Sequence, residues 1–340
     1  MKKWGAIIGG LLLIIWAGWE WHSRRWVSPL GRAGEKIKLE LEAYDFDTLR
    51  ERGGRAGKLE IRGRIKEVEE RRINDKREAI NEFETRQIRF LSQGKWITGM
   101  MNYRPEKSSP SGVIIMIRGY AESRGYYSGS GTWKVADELV GQRPDLATIS
   151  IDFLGYGGSD NESGDILIAR FEKVVSVLDL IESVKQLPWV DKNRIGMWAH
   201  SNGGQIALSV LEITGAVYPT VLWAPMTLAF PQSVLGTAET PEIRQVIEKF
   251  EQYYDARRYA FENYLEWIKA PILILQGDRD EWVKVEWQEK LVRQLADLGK
   301  EAELVVYSGS DHNLSHPPAG GWDRAAERTR KWYWSKRLIQ

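Results

Sequence analysis

The chain has 340 residues, with 48 Lys and Arg against 47 Asp and Glu, four histidines and no cysteine. A hydrophobic share of 43% and a charged share of 28% are ordinary for globular proteins, which excludes disordered and fibrous classes. The net charge of +1 gives no electrostatic basis for binding nucleic acid. The absence of cysteine excludes disulfides, thiolate metal sites and cysteine nucleophiles.

An uncharged apolar run extends from Trp4 to Trp19 and is followed by charged residues. It is near the lower length limit for crossing a bilayer, and its flanking tryptophans suit the two interfaces. Because no Ala-x-Ala arrangement for cleavage follows, we predict that residues 1–25 are an uncleaved single-pass membrane anchor. Basic residues on both sides leave the orientation open; we expect the remainder of the chain to be extracytoplasmic.

Residues 26–84 are predicted to be a charged spacer with some edge structure. Between positions 31 and 90 there are sixteen Lys and Arg, fourteen Asp and Glu, and no tryptophan. Short alternations near residues 59–61 and 87–90 indicate half-solvated strands, and residues 68–80 could form a charged helix or a hairpin. The mixed signs favour a solvated surface over a surface that binds a partner.

From residue 85 to residue 340, short apolar runs alternate with amphipathic helical segments. Buried strands are predicted at 113–117, 147–151, 195–198, 220–223, 272–275 and 304–307. Helical spacing of apolar residues occurs at 166–187, 205–213, 285–298 and 322–338. This alternation predicts an α/β fold, with a mostly parallel central sheet flanked by helices.

Ser201 lies between a predicted strand and a predicted helix, with Ala199 two positions before it and Gly203 two positions after it. This arrangement is typical of the nucleophile elbow, a strained turn that tolerates only small flanking residues. The elbow presents the serine hydroxyl close to the amides at the start of the following helix. Ser201 is therefore the predicted nucleophile; the alternative is a glycine-rich turn with an incidental serine.

A serine nucleophile needs a base, and in this chain order the base follows the acid. Only His312 and His316 come after the serine. His312, in the loop after the last predicted strand, is the predicted base, and His316 is the alternative. His200 is expected to be a hydrogen-bonded neighbour, and His22 lies at the anchor.

Two aspartates compete for the role of the acid after the strand at 272–275. Asp280 is preferred because it falls in a Gly-x-x-Asp-x-x-Val arrangement, whereas Asp278 could pair with Arg279 or cap the loop. Asp311 is a third candidate, but adjacent residues seldom present their side chains to each other in the required geometry.

A tetrahedral oxyanion needs two fixed N–H donors. We predict the backbone amides of Asn202 and Tyr120, the latter in the loop after the strand at 113–117, where Gly119 permits a sharp turn. The glycine-rich segment 152–160 lacks the spacing and the lysine of a phosphate loop, so we predict a tight turn there.

Residues 85–340 resemble the alpha/beta-hydrolase superfamily. The segments 191–204 and 277–283 resemble most closely the catalytic domain of the prolyl oligopeptidase family and its esterase relatives, including dienelactone-hydrolase-like proteins. The resemblance implies a triad and no metal or organic cofactor; the triad residues it implies are Ser201, Asp280 and His312.

Two positions depart from the pattern of that family. Ala199 replaces the usual first glycine of the elbow, and Arg118 replaces the histidine that commonly precedes the glycine of the oxyanion loop. Peptidases of this family also carry a large N-terminal propeller, and residues 26–84 between anchor and core are too few to hold repeated blades. A small ester is therefore the favoured substrate.

Residues 226–269 are predicted to be a helical cap insertion rich in aromatic residues. Such a cap could exclude water and favour an apolar acyl or alkyl group, or its rings could simply pack its helices onto the core. We thus predict a serine hydrolase that cleaves a carboxylic ester, or a related acyl bond, through an acyl-enzyme. The alternatives are a membrane-tethered serine peptidase acting on short peptides and a non-catalytic binding protein on a hydrolase scaffold.

Overall fold

The computed structural model describes most of the chain. The residues described are 40–74, 84–103, 111–142, 145–235, 240–315 and 321–336. Among them, no helix combines the length and the apolar character needed to span a bilayer. The predicted anchor, residues 1–25, lies outside these residues.

One nine-stranded sheet forms the centre of the molecule. Its spatial order is β1-β2-β3-β5-β4-β6-β7-β8-β9. The first four strands in this order, β1, β2, β3 and β5, pair antiparallel with one another. From β5 onward, through β4 and β6 to β9, each strand is parallel to its neighbour. In chain order the strands are Leu59–Arg64, Glu84–Ser92, Lys95–Tyr103, Ser111–Ile117, Leu146–Ile151, Val190–His200, Thr220–Trp223, Ile272–Gly277 and Ala302–Tyr307.

Helices cover both faces of this sheet. The α-helices α1 to α9 are Phe46–Arg52, Lys66–Asn74, Trp133–Gln142, Ile166–Val184, Asn202–Thr214, Gln232–Leu235, Pro241–Tyr253, Val285–Asp297 and Gly321–Ser335. Apolar residues of α1, α4, α5 and α8 share one core cluster with the sheet, and those of α3 and α9 share another. The predicted mostly parallel sheet with flanking helices is confirmed.

Successive side chains of β4 point alternately into the two cores. Ile115 belongs to the first core and Ile114 and Met116 to the second, and all three are fully buried. Because successive side chains of a strand point to opposite faces, a strand buried on both sides reads as a continuous apolar run. This explains why five of the predicted strands correspond to β4 through β8. The sixth, at 304–307, corresponds to β9, but the prediction that it is buried is wrong: β9 is an edge strand and is only partly buried.

The charged segment before the sheet is more than a solvated spacer. Asp45 caps α1 by accepting a hydrogen bond from the amide of Thr48 at 2.8 Å. Phe46 and Leu49 of this helix are buried in the first core. The strand β1 then pairs with β2 at one edge of the sheet, where edge structure was expected.

An ion pair fixes the end of α1 to the hydrolase-type core. Arg52 donates to both carboxylate oxygens of Asp179 on α4, at 2.8 and 2.9 Å. The amide of Arg55 and the hydroxyl of Ser92 donate to the same carboxylate. Asp179 is almost completely buried, so these four donors replace the water that it loses on folding.

The segment between β7 and β8 contains α6, α7 and three short 3₁₀ turns. Its aromatic rings pack against one another, with Phe230, Phe250 and Tyr259 in mutual contact at centroid distances of 5.0 to 6.4 Å. The same cluster includes Leu41 and Phe171 of α4. The insertion therefore packs on both the N-terminal segment and the core; its limits at 226–269 stay a prediction.

Candidate active site

Ser201 lies at the turn between β6 and α5, with φ of 53° and ψ of −124°. A non-glycine residue with positive φ is strained and persists only where its surroundings hold it in place. Here the amide of Ser201 donates to the carbonyl of Trp223 at 3.0 Å, and its carbonyl accepts from the amide of Met226 at 2.8 Å. A Cβ at Gly203 would lie 2.4 Å from the carbonyl oxygen of Ile117, so no larger residue fits there.

The loop after β9 brings His312 to this turn. Its Nε2 is 2.9 Å from the Oγ of Ser201, and its Nδ1 is 2.8 Å from Oδ2 of Asp280. The three side chains thus form a continuous hydrogen-bonded chain from hydroxyl to carboxylate. In this arrangement the imidazole can take the hydroxyl proton while the carboxylate stabilises the resulting positive charge.

Asp280 is held by several donors. Its Oδ1 accepts the amides of Trp282 and Val283 at 2.8 and 2.9 Å, and its Oδ2 accepts Nε2 of Gln276 at 2.9 Å. Burial acts to raise the pKa of this carboxyl, but the hydrogen bonds, led by that from His312, outweigh it and the pKa is lowered. Asp280 therefore stays ionised and fixed in orientation.

The competing candidates lie elsewhere. Asp278 is exposed, and its Oδ1 accepts the amide of Gly309 at 2.6 Å, as expected for a loop cap. Asp311 accepts the amide and the hydroxyl of Ser315. His316 and His22 are outside the described residues.

His200 contacts the backbone of the proposed base. Its Nε2 is 3.1 Å from the carbonyl oxygen of His312, and the two ring centroids are 4.8 Å apart. A carbonyl can only accept, so this nitrogen carries the proton. Burial first, and then the nearby His312, lower the pKa of His200 to about 4. The ring is thus neutral and a donor, the hydrogen-bonded neighbour that the sequence predicts.

The two predicted oxyanion donors, Asn202 and Tyr120, belong to segments that adjoin Ser201. Asn202 is the first residue of α5, where backbone amides have no acceptor within the helix. The backbone of Gly119 lies against the serine, since a Cβ there would be 2.8 Å from the Cβ of Ser201. Tyr120 follows, with its ring 81% exposed.

Arg118, the departure from the family pattern, holds this loop. Its Nη1 donates to the carbonyl of Gly119 and its Nη2 to the carbonyl of Asp152, both at 2.8 Å. The guanidinium also lies 4.0 Å from the ring centroid of Tyr156. In a trans peptide the C=O and the next N–H point in opposite directions. The hydrogen bond from Arg118 to the carbonyl of Gly119 therefore directs the N–H of Tyr120 away from Arg118.

Two contributing side chains could not be recognised from the sequence: Gln276, and Arg118 in its present role. Each acts through a backbone carbonyl or a carboxylate that only the folded chain brings near. The tight turn predicted at 152–160 is present, with positive φ at Phe153, Gly155 and Gly157.

A cavity extends from Asn202 along α5. Its free volume is about 40 Å³, and it lies between α5, α4, α1 and the insertion. Its walls are mainly aromatic and aliphatic, and its polar members include Arg170 and Gln205. Within the part of the chain that the structure describes, no group of three His, Cys, Asp or Glu side chains could hold a metal ion.

The strand order and the position of Ser201 between β6 and α5 place the protein in the alpha/beta-hydrolase superfamily. Within that superfamily, residues 167–339, just over half of the chain, match the prolyl oligopeptidase family. The chain belongs to this family.

Relatives in sequence are distant and longer. A Schizosaccharomyces pombe protein provisionally named a dipeptidyl aminopeptidase is 24% identical over 190 residues, which are 53% of this chain and 21% of that protein. The uncharacterized peptidase YuxL of Bacillus subtilis is 26% identical over 172 residues, 48% of this chain and 24% of YuxL. The chain thus spans a quarter or less of the length of these curated relatives.

Solved structures share the fold. An acetyl xylan esterase from Paenibacillus sp. R4 superposes with a TM-score of 0.60 at 17% identity, covering 89% of this chain and 95% of that one. A puromycin-hydrolyzing peptidase from Mycobacterium tuberculosis superposes with a TM-score of 0.56 at 16% identity, covering 73% of this chain and 38% of the other. The fold is thus shared with both an esterase and a peptidase.

Proposed function

We propose that the protein is a serine hydrolase that cleaves a carboxylic ester through an acyl-enzyme intermediate. The observation that carries this proposal is the hydrogen-bonded chain from Ser201 through His312 to Asp280, with distances of 2.9 and 2.8 Å. Membership of the prolyl oligopeptidase family supports the same chemistry.

In the proposed reaction the Oγ of Ser201 attacks the ester carbonyl while Nε2 of His312 takes its proton. The imidazolium then gives that proton to the leaving alcohol as the bond from carbonyl carbon to alcohol oxygen breaks. A water molecule, activated by the same imidazole, hydrolyses the acyl-enzyme and restores the serine. Asp280 holds the imidazole in the tautomer that both steps need.

The developing oxyanion is assigned to the amides of Asn202 and Tyr120. Removal of one donor of such a pair costs about 10²- to 10³-fold in turnover in other serine hydrolases. The hydrogen bond from Arg118 to the carbonyl of Gly119 supports this assignment, because it fixes the orientation of the peptide that carries the Tyr120 amide.

An ester is favoured over a long peptide by the enclosure of the site. The insertion and the segment from Glu40 to Arg52 both contribute walls beside Asn202, and the small free volume between these walls disfavours a long peptide. The second candidate, a peptidase, is favoured by the names of the curated relatives. A side-by-side assay of 4-nitrophenyl acetate and short peptide 4-nitroanilides distinguishes the two: a higher kcat/KM for the ester supports the proposal, and a higher value for the peptide refutes it.

We also propose that residues 1–25 anchor the protein in a membrane, with the hydrolase domain on the extracytoplasmic side. The support is the uncharged run from Trp4 to Trp19.

A further inference from the structure

Among the described residues, Arg170 has no anionic partner; it lies at the edge of the proposed active site. It lies on α4 and lines the cavity that begins at Asn202, the residue after the nucleophile. Its Nη2 donates to Oε1 of Gln205 and, at 2.7 Å, to Oγ of Ser233. Both acceptors are neutral, and none of the carboxylates in the described ranges forms an ion pair with this guanidinium.

Arg170 is only partly exposed, which reduces the hydration of its charge. Desolvation lowers the pKa of Arg170 to about 10, which still leaves the side chain charged at neutral pH. Charges that are withdrawn from water are ordinarily paired, because protein groups must replace the lost hydration. The guanidinium therefore has unused capacity to bind an anion, and a planar fork of donors suits a carboxylate.

A second cation strengthens the positive potential of this region. Lys173 follows Arg170 by one helical turn on α4. Its pKa is lowered by burial first, while Glu162 raises it and both Arg118 and Arg170 lower it further. Lys173 therefore lies close enough to Arg170 and Arg118, and to the anionic Glu162, for their charges to influence one another.

The remaining walls of the cavity are mainly apolar. Gln205 is held in place by its Nε2, which donates to the carbonyl of Leu228 in the insertion, so the group that contacts Arg170 is itself fixed. A mainly apolar wall with a few fixed polar groups is the usual composition of a small-molecule site. The aromatic members of the wall are Tyr44, Phe46, Phe171, Phe230, Tyr259 and Phe261.

We propose that Arg170 binds a carboxylate of the substrate, so that the enzyme acts on esters with an acidic group attached to an apolar or aromatic body. This inference rests on the proposed role of Ser201. The carboxylate could belong to the acyl part or to the leaving group, and either position presents the same chemistry to the guanidinium.

Two matched pairs of substrates test the inference. Mono(4-nitrophenyl) glutarate against its methyl ester places the charge on the acyl side, and 4-acetoxybenzoate against methyl 4-acetoxybenzoate places it on the leaving group. We expect wild-type enzyme to favour the acid at least fivefold in kcat/KM in one pair, and the pair identifies the side. Arg170→Gln is expected to abolish that ratio, whereas Arg293→Gln, which removes an exposed arginine of α8, is expected to keep it.

Two further measurements distinguish loss of carboxylate binding from misfolding of the variant and from a change in the rate of ester cleavage. Arg170→Lys keeps the cation without the planar fork of donors and is expected to retain part of the preference. In a Ser201→Ala background, calorimetry with 4-acetoxybenzoate is expected to show binding that Arg170→Gln weakens at least fivefold.

A wild-type ratio below fivefold in both pairs, or a ratio that Arg170→Gln leaves intact, overturns the inference. Turnover of the neutral esters that persists in Ser201→Ala refutes the proposed function instead, so the two failures are distinguishable.

Discussion

At the scale of single residues, the site depends on how His312 is oriented. Asp280 contacts its Nδ1, Ser201 its Nε2, and His200 its backbone carbonyl. Gln276 in turn donates to Asp280 and is itself completely buried. The imidazole is therefore fixed at both ring nitrogens and at its main chain, which is the arrangement a base needs before substrate binds.

The choice of acid leads to a prediction on two aspartates. Asp280→Asn removes the acceptor that sets the tautomer of His312, and we expect kcat to fall by about 10²- to 10⁴-fold. Asp278→Asn, which alters only an exposed loop cap, is expected to change kcat by less than about threefold. Steady-state kinetics on a 4-nitrophenyl ester measures both; the opposite ranking would transfer the role to Asp278.

His200 gives a prediction on pH. Its pKa of about 4 in the folded protein lies below the value of about 6.5 expected when the chain is unfolded. Between these values the unfolded chain binds a proton that the folded chain does not, so stability must fall as the pH decreases through this window.

His200→Gln removes the titrating group but can still donate to the carbonyl of His312. We expect the loss in free energy of unfolding between pH 7 and pH 5 to be smaller in the variant, by up to about 2 kcal/mol. Urea denaturation at the two pH values measures it. Equal losses in wild type and variant would contradict the neutral state of His200.

The nucleophile, acid and base could be proposed from sequence because the elbow and the chain order are local signals. Arg118 could be seen only as a departure, since its acceptors on Gly119 and Asp152 belong to two different strand ends. The role of Gln276 could not be predicted either, because its side chain reaches Asp280 only after the loop that follows β8 has folded back. Such contacts exist only after the strands have been aligned in one sheet.

At the scale of elements, the N-terminal segment and the insertion form one wall. The hydroxyl of Tyr259 donates to the carbonyl of Leu41 at 3.0 Å, and the amide of Leu41 donates to the hydroxyl of Tyr254 at 3.3 Å. Arg258 pairs at 2.7 Å with the buried carboxylate of Asp45. These contacts connect residues more than 200 positions apart in the chain, so the segment contributes to the site as well as to the sheet edge.

The sequence could not indicate this role of α1. Seven residues make barely two helical turns, and the two buried residues Phe46 and Leu49 stand among charged neighbours. Averaged over such a window, the apolar periodicity disappears. The longer helices α4, α5, α8 and α9 give a clear periodic signal and were predicted.

Phe46 tests whether α1 is part of the folded core. Its ring is 4% exposed and stacks on Tyr264 with a centroid distance of 4.6 Å. We expect Phe46→Ala to lower the free energy of unfolding by about 3 kcal/mol, because it leaves a cavity between α1 and the insertion. Chemical denaturation measures it, with the exposed Glu51→Ala of the same helix as the control. A loss below about 1 kcal/mol would contradict the assignment of α1 to the core and would support the original prediction of a solvated spacer.

At the scale of the whole molecule, the order of elements was predictable because parallel strands buried on both faces leave unbroken apolar runs. The helix Trp133–Gln142 was not among the predicted elements. Its apolar residues pack against the sheet, but the helix has only ten residues, which are too few for a clear apolar periodicity. Strand order within the sheet also had to come from the structure, since it is set by crossovers rather than by local composition.

The proposed anchor is a property of the whole chain and is tested on the whole chain. We expect the full-length protein to sediment with membranes and to resist extraction at high pH. The variant lacking residues 1–25 is expected to remain in the supernatant with its ester activity intact, because these residues precede every element that contributes to the site. Recovery of the full-length protein in the supernatant would refute the anchor.

The central claim is that Ser201, activated by His312, is the nucleophile of a serine hydrolase. Intact-mass spectrometry after treatment with a fluorophosphonate tests it most directly, since the probe adds covalently only to an activated serine. We predict one adduct per chain, located on Ser201 by peptide mapping, absent from Ser201→Ala and strongly slowed in His312→Ala. An unmodified wild-type chain, or an adduct that persists at undiminished rate in Ser201→Ala, would contradict it.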